Sequence, residues 1–386
     1  MKILLVGEYS RLHNSLKEGL QALGHQVTLI STGDDFKKFD SDILLNKKYN
    51  AGVSKKIKVG IYKLTGNDIT SISVKRQFFK HAAQLQGYDV VQLINESPFA
   101  LLPEYEKAMI DYLRKANKKL FLLSCGADHS SIKFAYERKI RYSILQPFLE
   151  GRVSEKAMAG DLKYLTPPFV SLHQFVFDKI DGVIASDMDY HLSLLHHQKY
   201  KGLIPNPVNT DKLPYIPMDT RNKIKIFHGI NRGNYYRKGN DFFEAALDII
   251  RKKYKNRIEI ITAENLPYDT YIEKYNAAHI LLDQVYSFDQ GYNALEAMAK
   301  GKVVFTGAES EFLDFYNLDV NQVCINAVAD VQRLVSQLEM LIENPEKIHH
   351  ISKNARAFVE REHHYLKIAQ KYLDVWVHKD SLSKQN

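Results

Sequence analysis

Residues 228–239, His228-Gly229-Ile230-Asn231-Arg232-Gly233-Asn234-Tyr235-Tyr236-Arg237-Lys238-Gly239, interleave cations with three glycines. That composition suits an anion. Glycines let backbone amides approach phosphate oxygens, the Arg232 guanidinium can bind two of them at once, and the Lys238 ammonium acts as a mobile point charge. Any basic turn between a strand and a helix looks similar, so this stretch alone leaves the ligand open. A second segment, residues 289–304, adds to it: Gly291 precedes a helix of small residues that Gly301 ends. Free amides near Tyr292 and Asn293 would face a phosphate, and Glu296 could accept hydrogen bonds from both hydroxyls of a ribose. The plain alternative for Glu296 is a solvated helix glutamate. Together the two segments predict a nucleoside diphosphate pocket built from Gly229, Arg232, Lys238, Gly291, Tyr292, Asn293 and Glu296.

These residues need elements to position them. The apolar run 3–6 is followed by Gly7 and by Leu12, Leu16, Leu20 and Leu23 on one helical face, then by a second buried strand at 27–30. Strand, helix, parallel strand opens a doubly wound sheet. Further buried strands are predicted at 90–94, 120–123, 183–185 and 203–204, with a helix at 105–116. Two prolines in Ile204-Pro205-Asn206-Pro207-Val208 break the pattern and mark a domain boundary. A second alternation follows, with strands at 223–227, 258–261, 280–282 and 303–305 and helices at 241–253, 268–277 and 293–300. Helices at 331–342, 348–360 and 365–377 end the pattern, and residues 381–386 read as a disordered tail. The expected fold class is α/β, with a first domain over 1–205, a second over 206–364, and a final helix and tail over 365–386.

At 386 residues the chain exceeds one ordinary core, which agrees with two domains. No run of eighteen apolar residues occurs and the opening residues lack a signal-peptide pattern, so a cytoplasmic protein is expected. Cys125 and Cys324 are too few for a disulfide framework or a cysteine zinc site, and the histidine pairs 196–197, 349–350 and 363–364 face no convergent carboxylates. No metal is expected. The surplus of +8 lies entirely in residues 1–205, with many lysines in a loop-like stretch from 37 to 63. Scattered solvated lysines explain this as well as an anionic partner does. The stretch Ser130 to Phe148, basic and rich in aromatics, is a candidate for contact with an anionic membrane surface, against the plainer reading of a solvated amphipathic helix. Nucleic acid lacks any recognition motif, and the loop Gly7-Glu8-Tyr9-Ser10-Arg11 lacks the GxGxxG pattern of a nicotinamide enzyme, though it could border a cleft.

The motifs resemble those of the GT-B glycosyltransferases, the large group-1 type that uses nucleoside diphosphate sugars. Gly229 to Gly239 is similar to the family's Gly-x-x-Arg, five residues, Lys-Gly element. Residues 295–304 resemble Leu-Glu-Ala-Met-Ala-x-Gly-x-Pro-Val, with Val303 in place of the proline, and 204–210 resemble the interdomain Ile-Pro-Asn-Gly-Val-Asp. The resemblance implies two Rossmann-like domains facing across a cleft, donor on the second and acceptor on the first, with the last helix crossing back. It also implies transfer to an acceptor hydroxyl with retention, no cofactor beyond the donor, and a glycan or lipid-linked acceptor in polysaccharide biosynthesis. Its paired glutamates place the first at position 288, which is Phe288 here. Asp289, one residue on, is the substitute contact to the donor sugar. The family's acceptor-side histidine falls at Cys125, leaving Asp128 and His129 as displaced catalytic candidates. Two rivals share the fold: a nucleotide-sugar epimerase and a non-catalytic nucleotide- or glycan-binding protein.

Overall fold

The run Ile3-Leu4-Leu5-Val6 is wholly buried and forms the middle of a parallel sheet, as a strand covered on both faces must. The computed structural model describes residues 1–33, 40–50, 52–264 and 268–377. Within them, β1 (Lys2–Val6), β2 (Gln26–Ser31), β3 (Ile43–Leu44), β4 (Val90–Leu93), β5 (Lys119–Ser124), β6 (Gly182–Ala185) and β7 (Tyr200–Leu203) pair in the order β3-β2-β1-β4-β5-β6-β7. A second parallel sheet has the order β12-β11-β10-β8-β9, from β8 (Ile224–Ile230), β9 (Ile258–Glu264), β10 (Ile280–Leu282), β11 (Val303–Thr306) and β12 (Ile325–Asn326). The chain passes from one sheet to the other between Leu203 and Ile224, across the two prolines. Two Rossmann-like units face one another across a cleft, so the α/β class expected from the motifs is the class observed.

Amphipathic stripes account for the layers. Helix Asn240–Lys253 buries Phe243, Ala246, Leu247 and Ile250 on the second sheet. The last helix, Tyr365–Val377, packs against the other unit: Ile368, Ala369, Tyr372, Leu373 and Trp376 share one cluster with Leu12, Leu16 and Leu20. Trp376 also donates its indole N–H to Gln92 Oε1 (3.0 Å), and its carbonyl accepts from Lys119 Nζ (2.6 Å).

Several expectations shift. The strand predicted at 203–204 is Tyr200–Leu203, an edge strand whose half-buried residues break the apolar run. The loop-like lysine stretch is only partly loop where it is described. It holds β3 and a helix, Gly52–Thr65, whose lysines disguise its helical period, and a second unpredicted helix follows at Ile69–Lys80. Residues 37–39 of that stretch and the predicted tail 381–386 lie outside the described residues. No helix among the described residues is long and apolar enough to cross a membrane.

Candidate functional site

Parallel strands all point the same way, so their carboxyl ends collect on one edge, where ligands of open α/β sheets bind. Here both sheets present that edge to the cleft. A cavity of about 530 Å³ is walled by residues following β1, β5 and β6, among them Glu8, Tyr9, Gly126 and Asp187, and by Gly291 and Tyr292 of the second unit. A neighbouring cavity of about 200 Å³ is lined by Ser131, Asp187, Asp189, Gln284, Asp289 and Gly291.

On the second unit, His228 lies buried near the end of β8, its Nε2 2.8 Å from Asn240 Oδ1, and burial holds its pKa below the ordinary histidine value. Gly239 stands at φ 68°, left-handed, where an added Cβ would lie 2.2 Å from Val285 Cγ2. Only glycine fits that turn. It brings Lys238 inward, and Lys238 Nζ lies 2.9 Å from Asp283 Oδ1 at the carboxyl end of β10. Asn293 Nδ2 donates to the same oxygen (3.3 Å), and Thr306 donates to Oδ2 (3.3 Å). Lys238 and Asn293, 55 positions apart, thus meet on a buried carboxylate that sequence reasoning did not flag. The signal was present: Asp283 is the first residue past an all-apolar strand.

Arg232 is placed elsewhere. Its guanidinium forms a two-pronged pair with Glu264 at the end of β9, 2.7 Å on each arm, on the exposed side of β8 away from β10. The expected convergence of Arg232 and Lys238 is therefore not formed in the ligand-free chain. Helix Tyr292–Ala299 begins at Gly291 with no side chain capping it, and Gly291 borders both cavities. Tyr292 bonds across the cleft to Ser15 Oγ (2.6 Å) and to the Pro207 carbonyl. Glu296, one turn on, lines a small groove with Arg11, Asn209 and Lys212. Gly229, next to last in β8, lies near Tyr271, outside both cavities. The seven expected nucleotide contacts therefore occupy several neighbouring places rather than one.

The acceptor-side candidates sit together at the start of one helix. Asp128 caps helix His129–Tyr136, accepting from the Ser131 amide (2.8 Å) and hydroxyl and from the Ser124 hydroxyl. His129 gives its amide to Glu96 and its Nδ1 to the Tyr164 carbonyl (2.8 Å), and stacks on His173. Neither lines either of the two cleft cavities, and the N-cap fixes both at the helix start. Cys125 does line the larger one, where burial pushes its thiol pKa up and keeps it protonated.

Asp289 faces the smaller cavity, but its Oδ2 accepts from the Met188 amide (2.9 Å) of the first unit. Asp189 answers by accepting from Ser287 Oγ (2.7 Å) and the Phe288 amide (3.1 Å). Asp187, Asp189 and Asp289 bring carboxylate oxygens within 4.8 Å of one another, the one such group among the described residues able to hold a cation. Burial raises the pKa of all three, Asp189 to about 6, and repulsion from the neighbouring carboxylates adds to it for Asp187 and Asp289. The basic stretch 130–148, offered for membrane contact, spends much of its charge internally: Arg141 binds Glu309 and Glu311 (2.9 and 2.6 Å), and Tyr142 donates to Glu309.

A glycosyl transferase-like family model matches residues 236–374. No curated protein sequence matches the chain. Solved structures match along nearly its whole length. Sucrose-phosphate synthase from Thermosynechococcus elongatus is 15% identical, with a TM-score of 0.62 over 97% of this chain and 98% of its own. HepE from Anabaena, in complex with UDP and glucose, is 13% identical, with a TM-score of 0.55 over 97% and 98%. A candidate UDP-N-acetylglucosamine 2-epimerase from Listeria monocytogenes is 12% identical, with a TM-score of 0.52 over 97% and 95%. The family model thus covers most of the second unit and the last helix, and the fold of these solved structures is shared along nearly the whole chain.

Proposed function

We propose that the protein moves a sugar from a nucleoside diphosphate sugar to an acceptor hydroxyl, with retention at the anomeric carbon. The observation that carries this reading is the meeting of Lys238 and Asn293 on Asp283, beside an uncapped helix start that opens on both cleft cavities. A diphosphate there would find an ammonium and helix amides. Arg232 would leave its exposed pair with Glu264 to reach the phosphates, and such surface pairs are weak. Glu296 would take the ribose and Asp289 the donor sugar. As the glycosidic bond breaks, these donors would stabilise charge on the leaving diphosphate.

The proposed donor domain is 206–364, the acceptor domain 1–205, and 365–386 the returning helix and tail. HepE was solved with UDP, which makes a uridine nucleotide the first to try. The donor itself is proposed to be the sole small-molecule requirement, with a glycan or lipid-linked acceptor of polysaccharide synthesis at the cytoplasmic membrane face. Membrane contact is assigned to helix Gly52–Thr65, which carries Lys55, Lys56, Lys58 and Lys63, no acid, and exposed Ile57, Tyr62 and Leu64.

Titration calorimetry with UDP, GDP and ADP tests the pocket. One of them is expected to bind the wild type at micromolar Kd and the Arg232→Ala/Lys238→Ala variant at least tenfold more weakly. Equal binding by both would remove the assignment. Sugar epimerisation without an acceptor would instead favour the activity suggested by the Listeria match.

A further inference from the structure

The first unit contributes a feature that donor binding does not use. Between β1 and helix Leu12–Ala22, the backbone is left-handed at Gly7 (φ 85°), Ser10 (φ 52°) and Arg11 (φ 78°). A Cβ on Gly7 would lie 2.3 Å from Ile94 Cγ2 and 2.8 Å from the Pro98 carbonyl oxygen, so the loop is pressed against its neighbours. Left-handed non-glycine residues persist only where surrounding structure holds them, and they concentrate at functional sites. The loop's effect is to turn Glu8 inward at the carboxyl end of β1, onto the wall of the larger cavity.

Glu8 is 5% exposed. One carboxylate oxygen, Oε2, is held by the Asn14 amide (2.8 Å) and the Asn14 side chain (2.7 Å). The other, Oε1, is buried without a hydrogen-bond partner. A buried oxygen left unmatched in a native fold is uncommon and calls for a partner from outside the chain. Gly291, on the opposite unit, borders the same cavity at the helix start proposed to receive the diphosphate. Glu8 therefore stands across from the donor, on the side from which an acceptor would enter.

We propose that Glu8 is an acceptor-binding residue, its Oε1 accepting a hydrogen bond from the hydroxyl that attacks the donor's anomeric carbon. This rests on the transfer reading. The acceptor oxygen bonds to the anomeric carbon, the bond from that carbon to the diphosphate oxygen breaks, and the electron pair leaves with the diphosphate. The hydroxyl proton passes to the departing diphosphate oxygen. Glu8 orients the hydroxyl and ends the step as it began, a carboxylate.

The surroundings make this role sensitive to pH. Burial raises the Glu8 carboxyl to about 7, against the opposing pull of Asn14 and the nearby amides of His13 and Arg11. Lys47 and Asp187 also line the cavity, so both signs of charge face it. His13 stays neutral, its pKa lowered by burial to about 3, and burial keeps Cys125 and Tyr9 protonated. Below about pH 7 Glu8 gains a proton, and a protonated Oε1 donates where the role needs it to accept.

Glu8→Gln is the test. Its amide oxygen still accepts from Asn14 while an NH₂ replaces the free oxygen. UDP affinity by calorimetry is expected to be unchanged and the thermal midpoint not to fall. Turnover of UDP-glucose with water and with methyl α- and β-glycosides as acceptors is expected to fall at least tenfold in kcat. The wild-type rise in rate through about pH 7 is expected to vanish in the variant. Equal turnover and an equal pH profile in both proteins, with UDP bound, would overturn this role and leave the transfer reading standing. UDP binding with no donor turnover in the wild type would overturn the transfer reading and this role with it.

Discussion

Phe288 stands where the motif that this chain resembles has a carboxylate, and its neighbours show what holds an aromatic ring there. It is 1% exposed in the core of the second unit. The Arg141 guanidinium lies 4.7 Å from its ring centre and the Tyr142 ring 5.1 Å away, both from the first unit. Arg141 is itself fixed by Glu309 and Glu311, so ring and ion pairs form one contact between the halves. Phe288→Ala is expected to cost about 3–5 kcal/mol in urea unfolding, as deletion of a fully buried ring does. Phe288→Glu, which restores the family's residue type, is expected to cost more than the alanine change at pH 8, since it adds a charge beside Asp189 and Asp289. A glutamate variant as stable as wild type would show that the ring is dispensable. The substitution at 288 was legible in the sequence, whereas its packing partners 147 positions away were not.

At the scale of elements, helix Met188–Leu194 and the loop after β10 exchange hydrogen bonds: Asp289 accepts from the first residue of that helix, and Asp189 accepts from Ser287 and Phe288. The same exchange crowds three carboxylates. Their folded pKa values lie above the ordinary aspartate range, so the contact is strongest when they are protonated and weakens as pH rises, for Asp189 through about 6. Asp187→Asn keeps a side chain able to cap the helix while removing one charge. It is expected to raise stability by about 1–2 kcal/mol at pH 8 and to change it little near pH 4, read as the difference between the two proteins' melting curves. Equal differences at both pH values would mean that the three groups do not titrate together.

At the scale of the molecule, charge is the asymmetric feature. The surplus of +8 belongs to the first half of the sequence, and the structure divides it between two uses. Arg141 and Arg152 are spent on the second unit, Arg152 pairing with Asp241 (2.8 Å). Helix Gly52–Thr65 turns Lys55, Lys56 and Lys63 outward together with Leu64, which is 87% exposed, while Lys58 pairs with Asp68. Next to it in sequence, Lys75, Arg76 and Lys80 rim a surface groove with Phe79 and Tyr105. The wild-type protein is expected to co-sediment at low salt with vesicles of phosphatidylglycerol and phosphatidylcholine, and Lys55→Glu/Lys56→Glu/Lys63→Glu is expected to remain in the supernatant. A wild-type protein that stays in solution at low salt would remove this surface from the functional picture.

What the sequence determined by itself is local or periodic. Apolar runs and amphipathic stripes marked most strands and helices, because burial on a sheet imposes a period that neighbouring residues alone reveal. Glycine spacing and the cations around it marked the turn after β8, and Gly291 the helix start, because those features are made within a dozen residues. Tertiary structure decided which side chains meet. Parallel strands gather their carboxyl ends whatever their separation in the chain, so Glu8, Asp187 and Gly291 wall one cavity although they follow three different stretches of sequence. It also decided which charges are already committed, placing Arg232 on Glu264 and Lys238 on Asp283, since pairing depends on strand order and not on spacing. The glycine-rich turn after β8 could be read from its own residues. The carboxylate facing it across the cleft became visible only once both sheets were in place.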